Sequence, residues 1–575
     1  MSDLLERHLA TAARCAQAGA WGEARDALQA AIGARPDALG ARRALVRCHL
    51  RLGDADAALH TARHPTLLDD AAALGETLDE LRAARATLAS AELLRARAER
   101  HPQDYRAALA LAATLHELGR PGEALPWATR AQQLRPLERQ PAEIRAAAMI
   151  DRGDVEAGLA LYRDLVASSD DRQTAARHLV LMHYDPAQTN ASLFAALQAF
   201  ADRHLRAPGP PLVARRDADA KRALRIGWLS PRFAEGPVAT FLTGLLRAFD
   251  RSRHAHLLIA LQPGGGEATT RLRRLADEWF DLAGLDDATL LQRLRARELD
   301  GRIDLAGHST ANRLAVVARR VAPVQVSWLD WFDTTAARSM DAWISDRWLT
   351  PDDSTQRYTE RLIRLDAGRF CYTPPDAAPP AAYAGDGRVV FASFNRLAKL
   401  NDSVLATWAA ILERMPDARL ELGARLLDDA ATRAYTLERF AALGIGADRL
   451  RLHGERTYPE LLAAYRAVDI ALDPFPFSGC TTTCDALYMG AAVVTLPGET
   501  FVSRQSASLL ERLGRGAWIA ADRGGYVDRA VALAADAASL RREREALRAA
   551  VEFRLCDASA QARDFAALLD ALCGR

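Results

Sequence analysis

The residues best suited to chemistry lie in one segment, 469–485, with the sequence DIALDPFPFSGCTTTCD. Its apolar start predicts a short β-strand, two prolines end that strand, and Gly479 permits a sharp turn. Thr481–Thr483 then open a predicted helix whose first backbone N–H groups are free to bind phosphate. Asp485 follows in the first turns and could hold the two hydroxyls of a ribose. The segment predicts a nucleotide phosphate site, or else an ordinary connection capped by threonines.

A lysine and an asparagine follow another predicted strand of the same region. Asn395 and Lys399 are expected to face the same cleft as the Thr481–Thr483 helix start. Because the lysine and the helix N-terminus are both positive, together they could neutralise a diphosphate without a metal ion. The chain shows no acidic triad with the spacing of magnesium ligands. The alternative is that Lys399 is merely a solvated lysine.

These residues belong to two series of short apolar segments separated by helical stretches. Such alternation is typical of parallel α/β domains. The predicted strands are 225–230, 256–261, 301–307, 324–329 and 342–346 in the first series and 388–394, 418–422, 449–454, 469–472 and 492–498 in the second. Two such domains in tandem have a ligand cleft between the carboxyl ends of their sheets.

The first third of the chain is rich in Ala, Leu and Arg, with apolar residues at helical spacing. Its turn residues recur at intervals of 34, in the pairs Gly19 and Gly53, Gly119 and Gly153, and Pro102 and Pro136. A glycine between two helices and a proline after the second, at this period, is the tetratricopeptide signature. The period requires a glycine near residues 85–87, where the chain has none, so we expect one degenerate or irregular repeat.

Stacked helix pairs of this kind form an array with a concave groove. We predict that the groove holds a protein partner; the alternative is that the array only supports the catalytic half. The predicted domains are tetratricopeptide-like repeats over 1–180, a helical linker over 181–222 that is rich in Pro and Gly at 206–216, α/β domains over 223–375 and 385–550, and a C-terminal helix over 551–575.

Length, charge and cysteine content exclude several classes of protein. A chain of 575 residues is expected to hold two to four domains. Its 75 basic and 74 acidic residues are interspersed, which argues against a nucleic-acid binder. The first residues lack the order of a signal peptide and no apolar run could span a bilayer, so we expect a cytoplasmic protein without a membrane segment. Seven scattered cysteines predict reduced thiols and do not favour a zinc site.

Six segments carry the motifs of a known family. They are FNRLAK at 394–399, DIALDPFPFSGCTTTCDALYMG at 469–490, VTLPGETFVSR at 494–504, DLAGHS at 304–309, PVQVSWL at 323–329 and HYDP at 183–186. Together they closely resemble the protein O-GlcNAc transferase family, glycosyltransferase family 41, and its bacterial members with N-terminal tetratricopeptide repeats. The resemblance covers about residues 180–575.

The resemblance implies a GT-B fold and an inverting transfer, without a metal or other cofactor, of a sugar from a nucleotide diphosphate to Ser or Thr hydroxyls of a protein. It implies that Lys399 contacts the diphosphate, that Thr481 and Thr482 donate to it, and that Asp485 holds the ribose. The full candidate set for the nucleotide sugar is Asn395, Arg396, Lys399, Cys480, Thr481, Thr482, Thr483 and Asp485.

The chain departs from the family at three places, two on the side of the acceptor and one at the nucleobase. A histidine of family members, considered there for the base and for acceptor contacts, is Gly236 here, and a glycine can do neither. The loop that normally reads Gly-Tyr-Pro-Gly-Thr is Asp-Trp-Phe-Asp-Thr at 330–334, and a histidine against the nucleobase is replaced by Leu461.

Three carboxylates and a histidine are candidates for the proton acceptor. Asp333 or Asp330 could serve if burial raised its pKa, and Glu235 beside the lost histidine is a further choice. His308 is expected at a strand end of the first α/β domain, either at the cleft or hydrogen-bonded to a loop. The alternative for the acidic residues is that they are solvated loop charges.

The sequence is therefore compatible with two functions from different classes. The first is a protein O-glycosyltransferase whose repeats recruit a polypeptide such as flagellin or an adhesin, with UDP-GlcNAc as the default donor and UDP-glucose, GDP-fucose or a nonulosonic acid donor as alternatives. The second is a relative that binds a nucleotide or a protein without turnover, which Gly236 and the altered loop 330–334 favour. The intact Lys399 and threonine run favour the enzyme.

Overall fold

The computed structural model describes residues 2–205, 212 and 222–574. Within it the chain divides into two compact units, one formed by Met1–Arg152 with Asp428–Tyr435 and the other by Gly153–Leu427 with Thr436–Arg575. The division at 152 falls inside the region predicted as repeats, 1–180. The predicted Pro- and Gly-rich linker lies outside the described residues except for Leu212.

The first unit is built from antiparallel helix pairs, as the 34-residue period predicts. Its helices are α1 (Ser2–Gln17), α2 (Trp21–Ala34), α3 (Leu39–Arg51), α4 (Ala55–Ala62), α5 (Pro65–Asp69), α6 (Ala71–Ala83), α7 (Thr87–Arg100), α8 (Tyr105–Glu117), α9 (Pro121–Leu134) and α10 (Arg139–Asp151). Small alanines such as Ala24, Ala31 and Ala124 are fully buried, so neighbouring helices can approach closely.

The turn between α6 and α7 keeps the repeat's geometry without its glycine. Gly19, Gly53 and Gly119 adopt positive φ angles of 76°, 79° and 73° between their helices, and Arg85 takes the equivalent position with φ of 57°. The preceding pair is irregular, because α4 has only eight residues and the short α5 follows it. The structure thus confirms the expected irregular repeat, which lacks the turn glycine and has a shortened helix.

The segment Asp428–Tyr435 comes from far along the chain and packs in the first unit. Asp429 Oδ2 accepts a hydrogen bond of 2.6 Å from the backbone N–H of Gly122, at the start of α9. A side chain at Gly122 would collide with Thr432, since an added Cβ would lie 2.7 Å from its backbone nitrogen. Arg152 stacks over the Tyr435 ring at 4.1 Å.

The second unit begins with helices and continues into two parallel sheets. The helices are α11 (Val155–Ala167), α12 (Arg172–Met182) and α13 (Asn190–His204). The first sheet has the order β3-β2-β1-β4-β5-β6-β7, with strands β1 (Leu224–Ser230), β2 (His254–Ala260), β3 (Glu278–Asp281), β4 (Gly301–Asp304), β5 (Val324–Ser327), β6 (Ala342–Ser345) and β7 (Arg361–Arg364). All its pairings are parallel, the arrangement of a Rossmann-like domain.

The second sheet is also parallel, with the order β10-β9-β8-β11-β12. Its strands are β8 (Val390–Ser393), β9 (Arg419–Gly423), β10 (Leu450–His453), β11 (Ile470–Leu472) and β12 (Ala492–Val494). We call the domains built on the two sheets the first and second lobes. Together they form the GT-B fold, as the resemblance implied.

Helices cover both sheets. They are α14 (Pro237–Ala248), α15 (Gly266–Leu275), α16 (Asp287–Arg295), α17 (Leu314–Val317), α18 (Asp402–Arg414), α19 (Ala430–Ala441), α20 (Tyr458–Ala464), α21 (Thr481–Tyr488), α22 (Phe501–Arg512), α23 (Arg523–Ala535), α24 (Ala537–Arg542), α25 (Arg544–Leu555) and α26 (Ala558–Cys573). Short 3-10 helices are Leu397–Lys399, Arg425–Asp428, Ala447–Arg449, Tyr465–Ala467 and Gly516–Trp518. The last helix, α26, returns to the first lobe, packs on α14 and bonds His254 through Asp570.

All ten strands expected from the sequence are present, but β3 and β7 were missed. Both are edge strands of the first sheet, and their sequences EWFD and RLIR are only partly buried. Their polar residues break the apolar run that marks an inner strand such as β8.

None of the described helices is long and apolar enough to span a membrane.

Candidate functional site

The candidate residues lie where each sheet reverses its strand order. In the second lobe the reversal falls between β8 and β11, and the segments that follow them carry Lys399 and the start of α21. In the first lobe it falls between β1 and β4, and the chain after β4 carries His308. Loops at such switch points form the ligand crevice of open parallel sheets.

The Lys399 amine is held by groups of its own lobe. It donates to the carbonyl oxygen of Ser478 at 2.7 Å and to Asn395 Oδ1 at 3.2 Å. It also lies 4.7 Å from the centroid of the Phe477 ring. These contacts bring the strand end at β8 together with the turn after β11, as predicted for Lys399 and Asn395.

Burial of the amine changes its acidity. Desolvation lowers the pKa of Lys399 from its usual 10.5 to about 8, partly offset by the carboxylate of Asp473. With a pKa near 8 the amine can still carry a positive charge at neutral pH. Because it is already buried, binding a diphosphate costs little further desolvation of the amine. The sequence held a further signal, since Lys221 and Lys399 are the only lysines among its 75 basic residues.

The turn from β11 to α21 is built around the buried Asp473. Its Oδ1 accepts from the backbone N–H of Gly479 at 2.6 Å and its Oδ2 from the hydroxyl of Thr495 at 2.6 Å. An added Cβ at Gly479 would come within 3.0 Å of the side chains of Thr482, Thr483 and Asp473. The turn therefore requires glycine because of space. Asp473 lies within the segment 469–485, but its neighbours in the sequence do not mark it as a site residue.

Helix α21 begins at Thr481 after Cys480, and no described side chain caps it. The Thr482 hydroxyl donates to Asn395 Oδ1 at 3.2 Å, and Thr483 pairs with Ser506 at 2.7 Å. Asn395 thus links Lys399 and Thr482 at one point. Burial raises the pKa of Cys480 to about 12, so the thiol remains neutral beside this positive helix end.

Asp485 lies in the second turn of α21, where two tyrosines hold it. The hydroxyls of Tyr458 and Tyr372 donate to its Oδ1 at 2.7 Å and 2.8 Å. Burial raises the pKa of Asp485 to about 6, which the two hydrogen bonds partly offset. Tyr458 opens α20, the helix that also carries the partly buried Leu461. No local motif pointed to either tyrosine.

Asp333 is buried and paired. Its Oδ2 lies 3.1 Å from His183 Nε2, and its Oδ1 accepts from the N–H of Thr334 at 2.7 Å. His183 Nδ1 lies 2.9 Å from the carbonyl oxygen of Leu179, so both ring nitrogens face acceptors. Asp333 is thus committed to holding the loop 330–334 to the end of α12.

Asp330 is placed differently. Its Oδ2 has no hydrogen-bond partner among the described residues and lies 3.6 Å from Arg232 Nε. Its backbone has φ of 26°, directly after Leu329 with φ of 55°. Burial raises the pKa of Asp330, and Arg232, then the Ser309 hydroxyl, then Arg396 of the second lobe oppose that shift. The carboxylate therefore lies within the electrostatic reach of both lobes.

The remaining candidates differ in exposure. Glu235 is exposed, and its carboxylate accepts from the N–H of Ala268 at 2.8 Å, in the first turn of α15. Gly236 has φ of 141° and open space where a side chain would begin. His308 is buried, its Nε2 bonds the carbonyl oxygen of Thr335 at 2.9 Å, and burial lowers its pKa to about 4. Arg396 is exposed.

The structure brings Asn395, Lys399 and Thr482 into one cluster beside Cys480 and Thr483, with Asp485 one turn further along α21. The four acid–base candidates have different partners: Asp330 faces Arg232, and the other three make the hydrogen bonds described above. Among the described residues no group of three or more His, Cys, Asp or Glu side chains could hold a metal ion. The roles of these residues, and independence of a metal, stay predictions.

Aromatic rings connect the two lobes beside Lys399. Phe477 of the second lobe stacks on Tyr184 with centroids 4.6 Å apart, and Phe332 of the first lobe meets it edge-on at 5.0 Å. Tyr184 comes from the helical segment ahead of both lobes. All three residues lie within or beside the family motifs, but nothing in the sequence indicated that their rings meet.

Three comparisons with known proteins agree. The model described as "Glycosyl transferase family 41" matches residues 209–372 and 381–564, more than half of the chain. The Arabidopsis thaliana protein named "Probable UDP-N-acetylglucosamine--peptide N-acetylglucosaminyltransferase SPINDLY" is 33% identical over 338 residues, 57% of this chain and 37% of that protein. The Petunia hybrida protein of the same name is 32% identical over 402 residues, 68% of this chain and 43% of its own length.

A solved structure, that of a mutant of the Thermobaculum terrenum O-GlcNAc transferase, is similar over most of this chain. It is 31% identical with a TM-score of 0.79, and the match covers 87% of this chain and 98% of that one. By contrast, this chain spans only about two fifths of the length of the two plant proteins.

Proposed function

Because the chain belongs to glycosyltransferase family 41, we propose that it is an inverting protein O-glycosyltransferase that moves a sugar from a nucleotide diphosphate to Ser or Thr hydroxyls. UDP-GlcNAc is the first donor to test, since the plant relatives are named for it. The observation that carries the proposal is the Lys399 amine, fixed by Ser478 and Asn395 beside the uncapped start of α21.

Departure of the nucleotide diphosphate develops negative charge on the leaving oxygen. Lys399 and the N–H groups of Thr481 and Thr482 supply positive charge there, before the reaction begins. Preorganised donors of this kind need no reorganisation in the transition state, and each contributes about 10²- to 10³-fold in rate in comparable sites. Asp485 would hold the ribose and so fix the nucleotide's position.

The acceptor hydroxyl must lose a proton as it attacks the sugar. Of the four candidates, Asp330 alone combines a raised pKa, a carboxylate oxygen without a hydrogen bond among the described residues, and a place within reach of both lobes. Asp333 is held by His183, and Glu235 is exposed and accepts a hydrogen bond from the first turn of α15. A base on the first lobe and a leaving group on the second suit in-line displacement, hence inversion.

The test is transfer measured by intact mass and by nucleotide release. The donors would be UDP-GlcNAc, UDP-glucose, GDP-fucose and a nonulosonic acid donor, with flagellin or an adhesin as trial acceptors. We expect Lys399→Ala to lose about 10²-fold or more in kcat/KM, because it removes a leaving-group cation. Arg414→Ala, a surface cation of the same lobe, is the matched control. Equal activity of Lys399→Ala and wild type would refute the site.

The second candidate is a relative that binds a nucleotide without transferring the sugar. Gly236 and the loop 330–334 favour it, because both lie where the family's acceptor residues are expected. This candidate predicts nucleotide binding but no acceptor-dependent nucleotide release from any donor. Detecting such release would eliminate it.

We propose that the protein acceptor is recruited by the N-terminal repeats. Helix pairs α1 to α10 have the period and turn geometry of repeats that bind polypeptides. Deleting the repeats should raise KM for a protein acceptor and leave that for a short peptide unchanged. If both substrates behave alike, the repeats only support the lobes.

A further inference from the structure

Phe477 lies at a junction of three chain segments. Its ring stacks on Tyr184 with an interplanar angle of 26° and centroids 4.6 Å apart. Phe332 of the first lobe meets it at 80° and 5.0 Å, and the Lys399 amine lies 4.7 Å from its centroid. Both Phe477 and Phe332 remain partly exposed at the cleft.

The two rings that hold Phe477 are themselves fixed. Tyr184 is buried, directly after His183, whose ring forms the buried pair with Asp333. Phe332 packs against the same histidine with centroids 4.7 Å apart. The buried contact between His183 and Asp333 therefore anchors both neighbours of Phe477, one from the helical segment and one from the first lobe.

Lys399 depends on such a support because of its own chemistry. A lysine side chain is a flexible four-carbon stem with three freely rotating donors. Its two hydrogen-bond acceptors, Ser478 and Asn395, both belong to the second lobe, and Ser478 directly follows Phe477 in the chain. A shift of Phe477 would therefore move the Ser478 carbonyl and remove the ring face that attracts the amine.

We propose that Phe477 is a positioning residue for Lys399, and that Tyr184 and Phe332 set its position from outside the second lobe. The inference rests on the proposed function only in taking Lys399 as the leaving-group cation. It means that the leaving-group site is complete only when the helical segment, the first lobe and the second lobe are assembled.

The scarcity of lysine makes a direct test possible. Reductive methylation with ¹³C-formaldehyde would label Lys221, Lys399 and the terminal amine, and Lys399→Arg would identify the Lys399 signal. Titrating that signal in the full-length apo protein reports the amine's environment without any turnover. The affinity for inorganic pyrophosphate, measured by calorimetry, reports whether the amine is in place.

We expect the Lys399 signal of wild type to titrate near 8. In Tyr184→Ala and Phe477→Leu it should titrate closer to its usual 10.5, because the amine becomes more solvated, and pyrophosphate should bind about tenfold more weakly. Tyr184→Phe keeps the stacked ring, so its Lys399 signal should titrate closer to that of wild type than to that of Tyr184→Ala. Phe194→Leu, a buried ring of α13, is the matched control for general packing damage.

An unchanged Lys399 titration in Tyr184→Ala and Phe477→Leu would overturn the inference. So would an equal change in Phe194→Leu, because the effect would then come from the helical segment as a whole. If Tyr184→Ala fails to fold, Phe477→Leu at the partly exposed ring decides alone. Absence of glycosyl transfer would refute the proposed function and leave these titrations unaffected.

Discussion

The two lobes hold their functional residues by different means. In the second lobe the turn before α21 is made of backbone and near neighbours, with Gly479 bonded to Asp473 six residues earlier and the helix start without a side-chain cap. In the first lobe the loop 330–334 is held by His183, 150 residues away, and contains a carboxylate in strained backbone at Asp330. The turn that would bind the diphosphate is thus encoded locally, while Lys399 beside it and the acceptor loop are held by partners far along the chain.

The difference follows from what each side binds: the diphosphate group is constant, whereas the sugar and the protein acceptor vary. A diphosphate needs donors and a close approach of backbone, which glycine and a helix N-terminus supply in any lobe of this type. The acceptor side must suit a particular sugar and a particular protein, and its loops change accordingly. Two of the three departures from the family, Gly236 and 330–334, fall on this side, and the third, Leu461, lies in the second lobe.

The largest effect is expected for Gly479→Ala, in the turn before α21 of the second lobe. The new Cβ would come within 3.0 Å of Thr482, Thr483 and Asp473, so the turn must shift. We expect nucleotide affinity to fall about 100-fold or more and the free energy of unfolding to fall by about 1–3 kcal/mol. Gly516→Ala is the control, because its nearest neighbour is 3.4 Å away. Calorimetry that finds normal binding would contradict the turn's role.

On the acceptor side, Asp330→Asn should lower kcat by about 10²-fold and leave nucleotide affinity unchanged, because it removes a base and no donor contact. Asp330→Gly should be equally inactive yet more stable by about 1 kcal/mol, since glycine relieves the positive φ. Kinetics and thermal unfolding check the two parts. If Glu235→Gln loses transfer and Asp330→Asn does not, Glu235 is the base.

A third prediction concerns pH. UDP affinity should fall as pH rises through about 8, because Lys399 loses its proton, and as pH drops through about 6, because Asp485 gains one. On the alkaline side and on the acid side (the two limbs of the pH profile), the UDP affinity should change by up to about tenfold per pH unit. Lys399→Arg should flatten the alkaline limb and Asp485→Asn the acid limb, as measured by calorimetry. A limb that persists unchanged in its matched variant belongs to another group.

The smallest effect is expected far from the cleft, in Arg85→Gly. Arg85 has φ of 57° where the other repeats have glycine, so the substitution should stabilise the first unit by about 0.5–1 kcal/mol. Ala84→Gly is the control, since Ala84 has φ of −79° and glycine there should destabilise. Chemical denaturation that ranks the two variants in the opposite order would show that the turn is not strained.

Patterns of a few residues sufficed to predict most elements. The 34-residue period predicted the helix pairs, and apolar runs predicted ten strands, while the polar edge strands β3 and β7 gave no such signal. At the site, Lys399, Asn395 and Thr482 were predicted together and lie together. Tyr372 and Tyr458, which hold Asp485, could not be predicted, because one lies between the lobes and the other at the start of α20, both far from Asp485 in sequence.

The sequence by itself determined the family, the two α/β lobes and the diphosphate turn, because glycine, threonine and lysine at short spacing constrain backbone and charge directly. Only the tertiary structure separated Asp333 from Asp330, two carboxylates three residues apart in one loop. One meets a buried histidine from another element and the other does not. Burial and partner choice are properties of packing, and a local sequence does not contain them.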